Sequence, residues 1–316
     1  MFNKVAQEQV QHCLSFDVEE YFQVEAAARH VRRDQWADFA MRLAPHVDRV
    51  LELLDSHRAG ATFFVLGWVA RHEPELVKRI AEAGHEIASH GMHHQMLHKL
   101  TPRALRLELN DSRKLLEDLT GRPVSGFRAP TFSLTLQTAW AIDVLTECGY
   151  RYDSSVYPVR HDRYGVPDAP RRLHRARGPA GGELVEIPLL TRRWCGLNVP
   201  AGGGGYLRLF PLRVITGALN SCRRTGEGGM LYLHPWELDR DQPVLPMGRL
   251  TRWRHRVGLA RTERKLSRLL ERYRFRGASA LLDQTRLERL PVHHYRESNG
   301  IIRPEVSPLH SQQRAR

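Results

Sequence analysis

The chain is poor in cysteine, in lysine and in uninterrupted apolar sequence, and each shortage excludes something. Its four cysteines, Cys13, Cys148, Cys195 and Cys222, are scattered over 316 residues with no Cys-x-x-Cys among them. That scatter excludes a cysteine-rich zinc knot and a small disulfide scaffold, and leaves free buried thiols in a reducing compartment as the expectation. No window approaches the roughly 18 consecutive apolar residues of a bilayer-spanning helix, and the first ten residues lack an apolar signal core. A soluble, cytoplasmic protein is therefore expected. Lysine supplies only five of the 48 basic residues, so the formal charge of +13 is carried by arginine.

The positive excess is uneven. From Arg240 to Arg316 there are 18 Lys or Arg against 7 Asp or Glu. Such a region either reflects arginine-rich composition alone or favours an anionic partner. No nucleic-acid motif accompanies the charge, so no nucleic acid is expected. An anionic membrane surface, met peripherally at the inner membrane, is the partner that the basic C-terminal region suggests.

With 41% hydrophobic residues, the chain can bury one large core, and its punctuation reads as alternating strands and helices. Residues 12–18 form a strand with Asp17 at its end, followed by Glu19 and Glu20. A helix around 47–54 leads to a strand over 61–67, a helix over 75–82 and a strand over 85–89. A long helix from 102 to 119 stops at Gly121, and a strand end follows at Gly126-Phe127-Arg128-Ala129-Pro130. Further strands end at Asp153, near Val185 and at His234. The alternation predicts a parallel sheet closed into a barrel. The glycine run at 202–205 lacks the Lys-Ser/Thr ending of a phosphate loop and reads as tightly turning backbone. Residues 161–177 read as a long surface loop.

His90 and His94 stand four apart, a spacing at which one helical turn points both imidazoles at one cation. A carboxylate from the first strand end would complete a facial metal site with open positions, where a divalent ion acidifies water and polarises a carbonyl. Zinc is the first expectation, with cobalt, manganese or nickel as alternatives. His234 suits a general acid because its ordinary pKa lies near neutrality. Trp236 and Tyr157 are readable equally as core or as faces for a sugar ring.

Taken in order, Ser15-Phe16-Asp17-Val18-Glu19, the His-x-x-x-His pair, Gly-Phe-Arg-Ala-Pro, Asp-Ser-Ser-x-x-Pro and Leu-x-His resemble the five motifs of the polysaccharide deacetylases with a NodB homology domain (carbohydrate esterase 4-like). More narrowly, Phe127-Arg-Ala-Pro-Thr-Phe-Ser and Leu233-His-Pro-Trp-Glu-Leu-Asp resemble the exosortase- and exopolysaccharide-associated branch, which carries a C-terminal extension. The resemblance implies a distorted (β/α) barrel with a C-terminal helical extension. The division it implies is an arm at 1–11, a catalytic domain at 12–240, a basic extension at 241–285 packed on the barrel, and a disordered tail at 286–316.

The resemblance also implies roles. Asp17 would be the general base, Arg128 would pair with it, and His90 and His94 would hold the metal. Asp153 would hydrogen-bond His234, the acid for the leaving amine, and the backbone N–H near Thr131 would stabilise the oxyanion. The commonest first motif has two adjacent aspartates, the second a metal ligand, whereas Val18 fills that place here. Spacing by two puts Asp17 and Glu19 on one face of a strand, so Glu19 is the expected third ligand, with Asp17 as the alternative. The implied activity is hydrolysis of the N-acetyl amide of N-acetylhexosamine units in a bacterial exopolysaccharide or its precursor. A cyclic amide or ureide hydrolase and a non-catalytic glycan-binding assembly protein stay open beside it.

Overall fold

The computed structural model describes residues 10–161 and 163–296. Twelve strands are formed among them: β1 (Gln11–Val18), β2 (Thr62–Val65), β3 (Glu86–Ser89), β4 (Gly126–Phe127), β5 (Tyr152–Asp153), β6 (His174–Arg177), β7 (Glu183–Glu186), β8 (Thr191–Trp194), β9 (Leu197–Pro200), β10 (Met230–Leu233), β11 (Arg274–Arg276) and β12 (Val292–His294). Ten of them make one sheet in the order β10-β1-β2-β3-β4-β5-β7-β6-β12, with β11 also paired to β1. Every pairing in it is parallel except β6 with β7. Just past β7 the chain returns to the other edge through an isolated parallel bridge between Leu189 and Met230. That bridge brings the strands round into the distorted barrel.

The first strand shows why a parallel sheet forms. From His12 to Val18 every residue is buried, as expected of a strand covered on both faces rather than one that alternates. Helices cover the outside with apolar stripes. Leu43–Ser56 buries Leu43, Val47, Val50, Leu53 and Leu54. Pro102–Thr120 begins at Thr101, whose Oγ1 accepts from Ala104 N at 3.2 Å, and stops at Gly121 with φ 65°, so both ends obey ordinary capping chemistry.

Parallel register delivers the chemistry to one rim. Val18, Val65 and Ser89 are Cα partners across β1, β2 and β3, and Ser89, Phe127, Asp153 and Glu186 continue the same level. The residue after each strand end is therefore lifted to a common height. His90 N donates to Val65 O, Arg128 N to Ser89 O and Ser154 N to Phe127 O, at 3.0 Å each. Glu19, His90, Arg128 and Ser154 thus leave the sheet together.

Several expectations need correction. The pair His90 and His94 does not lie on a helix but on a loop, with Gly91 at φ 76° and His94 at φ 52°. The expected 161–177 loop contains β6. The basic C-terminal region does more than pack on the barrel: after the helix Thr262–Arg272, β11 pairs with β1. The tail expected from residue 286 forms β12, which pairs with β6, and Tyr295 is fully buried; the rest of it, and residues 1–9 of the arm, lie outside the described residues. The four cysteines are free, as expected, but only Cys13 is buried; Cys148 and Cys222 are half-buried and Cys195 is exposed.

The glycine run has a steric purpose. Gly203, at φ 129°, passes so close to β10 that an added Cβ would lie 1.8 Å from Tyr232 O. Gly203→Ala is expected to destabilise the fold by about 3 kcal/mol or more, through the clash and the forbidden backbone angle together. Thermal unfolding checks this, with Gly181→Ala as the comparison, since Gly181 also has positive φ but has open space around it.

Candidate active site and metal centre

The first strand turns out of the sheet at Val18 and leaves Asp17 and Glu19 both 2% exposed at the barrel mouth. His90 follows β3 directly. Its Nδ1 donates to Arg128 O at 2.8 Å, which leaves Nε2 as the lone-pair nitrogen facing Glu19. The loop that brings His94 back is held by Glu108, whose Oε2 accepts from Met92 N and His93 N at 2.9 Å each and whose Oε1 takes His93 Nδ1 at 2.6 Å. Glu108 therefore draws His93 outward while the positive φ of His94 turns its ring inward.

Glu19 Oε2 lies 2.6 Å from His94 Nε2 and 3.9 Å from His90 Nε2. The three ligand atoms sit within 4.8 Å of one another on buried residues. Glu19 Oε2 nevertheless makes no hydrogen bond of acceptable geometry. Lone pairs that converge without a proton well placed between them fit a divalent cation better than a hydrogen-bonded cluster. Burial pushes His90 down to about 4, so it is neutral and ready to ligate. Burial also acts to raise the Glu19 carboxyl, but His94 above all, then His234 and His90, outweigh it and hold the group down to about 2.

On one side of this trio stands Arg128, fully buried. Its Nη1 donates to Asp17 Oδ1 at 2.6 Å and to Ser15 Oγ at 2.8 Å, its Nε to Ser154 O at 3.0 Å and its Nη2 to Ser154 Oγ at 2.9 Å. The guanidinium lies 4.0 Å from the centre of the Phe64 ring. Asp17 thus has one oxygen committed to arginine and the other, Oδ2, 3.9 Å from His234 Nε2.

On the other side is His234, and here the structure corrects the expected partner. Asp153 does not reach His234. Its carboxylate accepts from Ser155 Oγ at 2.6 Å and Ser155 N at 3.0 Å, and it lies against the carboxyl of Glu186, which accepts from Val156 N. Burial raises both of these carboxyls. The group that orients His234 is Glu237, whose Oε1 meets His234 Nδ1 at 2.8 Å. Arg208 Nε in turn donates to Glu237 Oε2 at 2.6 Å, and Arg208 Nη1 reaches the carbonyls of Arg254, His255 and Val257. Burial alone would lower the His234 pKa, but Glu237, then Glu19 and Asp17, raise it to about 9.

Two more expected site residues fall elsewhere. Tyr157 is fully buried and its hydroxyl accepts from Gly202 N at 3.0 Å, so it closes the barrel rather than meeting a sugar. Trp236 stands behind His234, rings 5.0 Å apart and stacked. Thr131 does line the site, at φ 57° and followed by Phe132 at φ 52°, a run of left-handed residues of the kind that marks functional loops. A cavity of about 250 Å³ joins Asp17, Glu19, His90, His94, Thr131 and His234, with Phe132, Tyr164 and Tyr232 as aromatic walls. A larger cleft, about 1320 Å³, opens at the opposite ends of the strands beside Gln11, Glu86 and Arg276. None of the rim residues reaches it, and parallel barrels carry their chemistry at the C-terminal rim.

Glu237, Arg208 and Glu108 were the residues that pattern reading passed over. Only Glu237 had a signal: it stands three after His234, and the turn Pro235–Leu238 is a 3₁₀ helix, in which residues three apart eclipse.

These features define a parallel α/β barrel with a His-His-carboxylate centre suited to a divalent ion, flanked by an Asp–Arg pair and a His–Glu–Arg relay. Residues 37–152 match the polysaccharide deacetylase family model, and residues 154–283 match a domain of unknown function (DUF3473). His90, His94 and Arg128 fall in the first segment and Arg208, His234 and Glu237 in the second, so the cavity is built from both. Asp17 and Glu19 lie before either. The chain is similar to the peptidoglycan-N-acetylmuramic acid deacetylase PdaA of Bacillus subtilis (strain 168), 34% identical over 77 residues, 24% of this chain and 29% of that protein. It is 45% identical to a chitooligosaccharide deacetylase of Bradyrhizobium sp. (strain ANU 289) over 53 residues, 17% of this chain and 24% of that protein. The alignments thus span less than a third of either relative. The crystal structure of a proposed polysaccharide deacetylase from Mycobacterium smegmatis shares the fold, with a TM-score of 0.61 and 22% identity over 94% of this chain and 96% of that one.

Proposed function

We infer that the chain is a metal-dependent deacetylase that hydrolyses the N-acetyl amide of N-acetylhexosamine units in a bacterial exopolysaccharide or its precursor. The observation that carries this reading is the meeting in one cavity of the Glu19, His90, His94 trio with Asp17 on one flank and His234 on the other. Glu19, His90 and His94 would hold a divalent ion, which would supply Lewis-acid polarisation of a carbonyl and acidify water when bound. Asp17, oriented by Arg128, takes the proton of the attacking water at Oδ2. His234 gives its Nε2 proton to the departing nitrogen as the C–N bond breaks, so acetate and a free amine leave. Thr131, on its left-handed turn, is the backbone donor for the oxyanion. The basic segment 241–285 is the part of this protein that would meet an anionic membrane; among the described residues no helix is long and apolar enough to cross one.

The test is acetate release from a panel of N-acetylated glycans with added zinc, cobalt or manganese, comparing the unaltered chain with His90→Ala. Acetate from N-acetylhexosamine polymers, lost in His90→Ala, supports the reading. Hydrolysis of ring ureides without acetate release would replace it, and failure to take up stoichiometric metal after soaking would sink it.

The relay behind His234 gives a pH prediction. His234 must be protonated to act as the acid, and the Glu237 carboxylate against its Nδ1 holds its pKa up; above that pKa the acid is lost and the rate falls. Glu237→Gln removes the largest raising partner, so the alkaline limb of the kcat profile should move toward lower pH by about one unit or more. An alkaline limb that stays in place would assign it to another group.

A further inference from the structure

The helix Arg249–Arg256 is dressed the wrong way round for one that only packs. Its one buried residue is His255, which stacks on Trp236 at 4.6 Å and meets Gln242 Oε1 at 2.8 Å. Its two large apolar side chains, Leu250 and Trp253, are 61% and 56% exposed, and Val244 just before it is 57% exposed. Leu250 and Trp253 are three apart and so share a face. Apolar side chains facing out from a helix whose inner contact is polar mark an interaction surface.

The charge around them says what the surface takes. Arg249, Arg252 and Arg256 wall a shallow groove about Trp253, and Arg254 is exposed on the same helix. Arg252 donates to Met247 O, and Arg256 to Gln242 O and Arg240 O. Among the described residues none of the four arginines meets a carboxylate, and the helix contains no acidic residue. A second copy of the chain is disfavoured, since a two-fold contact would set this cationic face against itself. A soluble polyanion would use the arginines and leave Leu250 and Trp253 wet. An anionic bilayer surface takes both, with phosphates for the arginines and the headgroup boundary for tryptophan and leucine.

We propose that the helix Arg249–Arg256 is an interfacial docking element that seats the protein on an anionic phospholipid surface through Trp253 and Leu250, ringed by Arg249, Arg252, Arg254 and Arg256. This deepens the membrane part of the functional reading and is independent of the hydrolytic part. The experiment is co-sedimentation of the full chain with phosphatidylcholine vesicles with and without phosphatidylglycerol. Retention is expected on the anionic vesicles alone, weakening with salt. Each Arg→Gln at 249, 252 or 256 should weaken it about fivefold, and Trp253→Ser about tenfold or more, with the far-ultraviolet circular dichroism spectrum and acetate release unchanged. Equal retention of Trp253→Ser and Leu250→Ser would reduce the contact to bulk charge and overturn the proposal. So would absence of retention by anionic vesicles, including the case in which a polyphosphate chain binds instead. Failure of acetate release with retention intact would count against the deacetylase reading alone.

Discussion

Glu19→Ala is expected to purify without a stoichiometric divalent ion and to lose activity by about 10³-fold, whereas Asp17→Asn keeps the ion and loses comparable activity. The two carboxylates are adjacent in space and differ in what already holds them. Asp17 Oδ1 is fastened to Arg128 at 2.6 Å. Glu19 Oε2 has no satisfactory proton donor, yet stands within reach of both imidazoles. A cation is what such an oxygen lacks; an arginine is what Asp17 already has. Elemental analysis of the two variants separates ligand from base, and a Glu19→Ala protein with full metal beside a metal-free Asp17→Asn protein would reverse the assignment. The longer glutamate side chain reaches both imidazoles from one residue beyond Val18, after the strand has ended.

Arg128→Met should be the most destabilising single change at the rim, by about 3–5 kcal/mol. The guanidinium is fully buried and satisfies Asp17, Ser15 and both the carbonyl and the hydroxyl of Ser154. A methionine fills the volume beside Phe64 but leaves the Asp17 charge buried without its counter-ion. Breaking one side of a buried pair costs far more than the pair contributes when intact. Arg128→Lys should recover only part of the loss, because an ammonium cannot present the planar fork these acceptors require. Chemical denaturation checks the order Arg, Lys, Met; a methionine variant as stable as the unaltered protein would show that Asp17 finds other compensation.

The rim residues were legible in the sequence because parallel strands share a direction. Once residues 12–18, 85–89 and 126–127 are read as strands, Glu19, His90 and Arg128 follow as residues that leave at one height. The partner of His234 was not legible in the same way. Asp153 lies at the end of β5 on the same rim level, and the family resemblance implies the contact, but its side chain is engaged with Ser155 and Glu186. Glu237 takes the role because the 3₁₀ turn after His234 folds it back under the ring. Tyr157 and Trp236 show the limit of aromatic residues as signals: either could meet a sugar, and each instead packs behind the cavity, one on Gly202 and the other on His234.

By itself, the sequence determined the alternation of strands and helices, the capping of the long helix, the direction of the sheet and the residue types at each strand end. These depend on local pattern and on the period of burial, which neighbouring residues carry with them. Only the tertiary structure decided that His90 and His94 meet from a loop rather than a helix, that Glu237 and Arg208 stand behind His234, that β11 and β12 join the sheet, and that Leu250 and Trp253 face out. Those outcomes rest on side chains separated by tens to hundreds of residues competing for the same hydrogen bonds and the same buried volume. Glu108 wins His93, Ser155 wins Asp153, and what remains free to meet in the cavity is the candidate functional site.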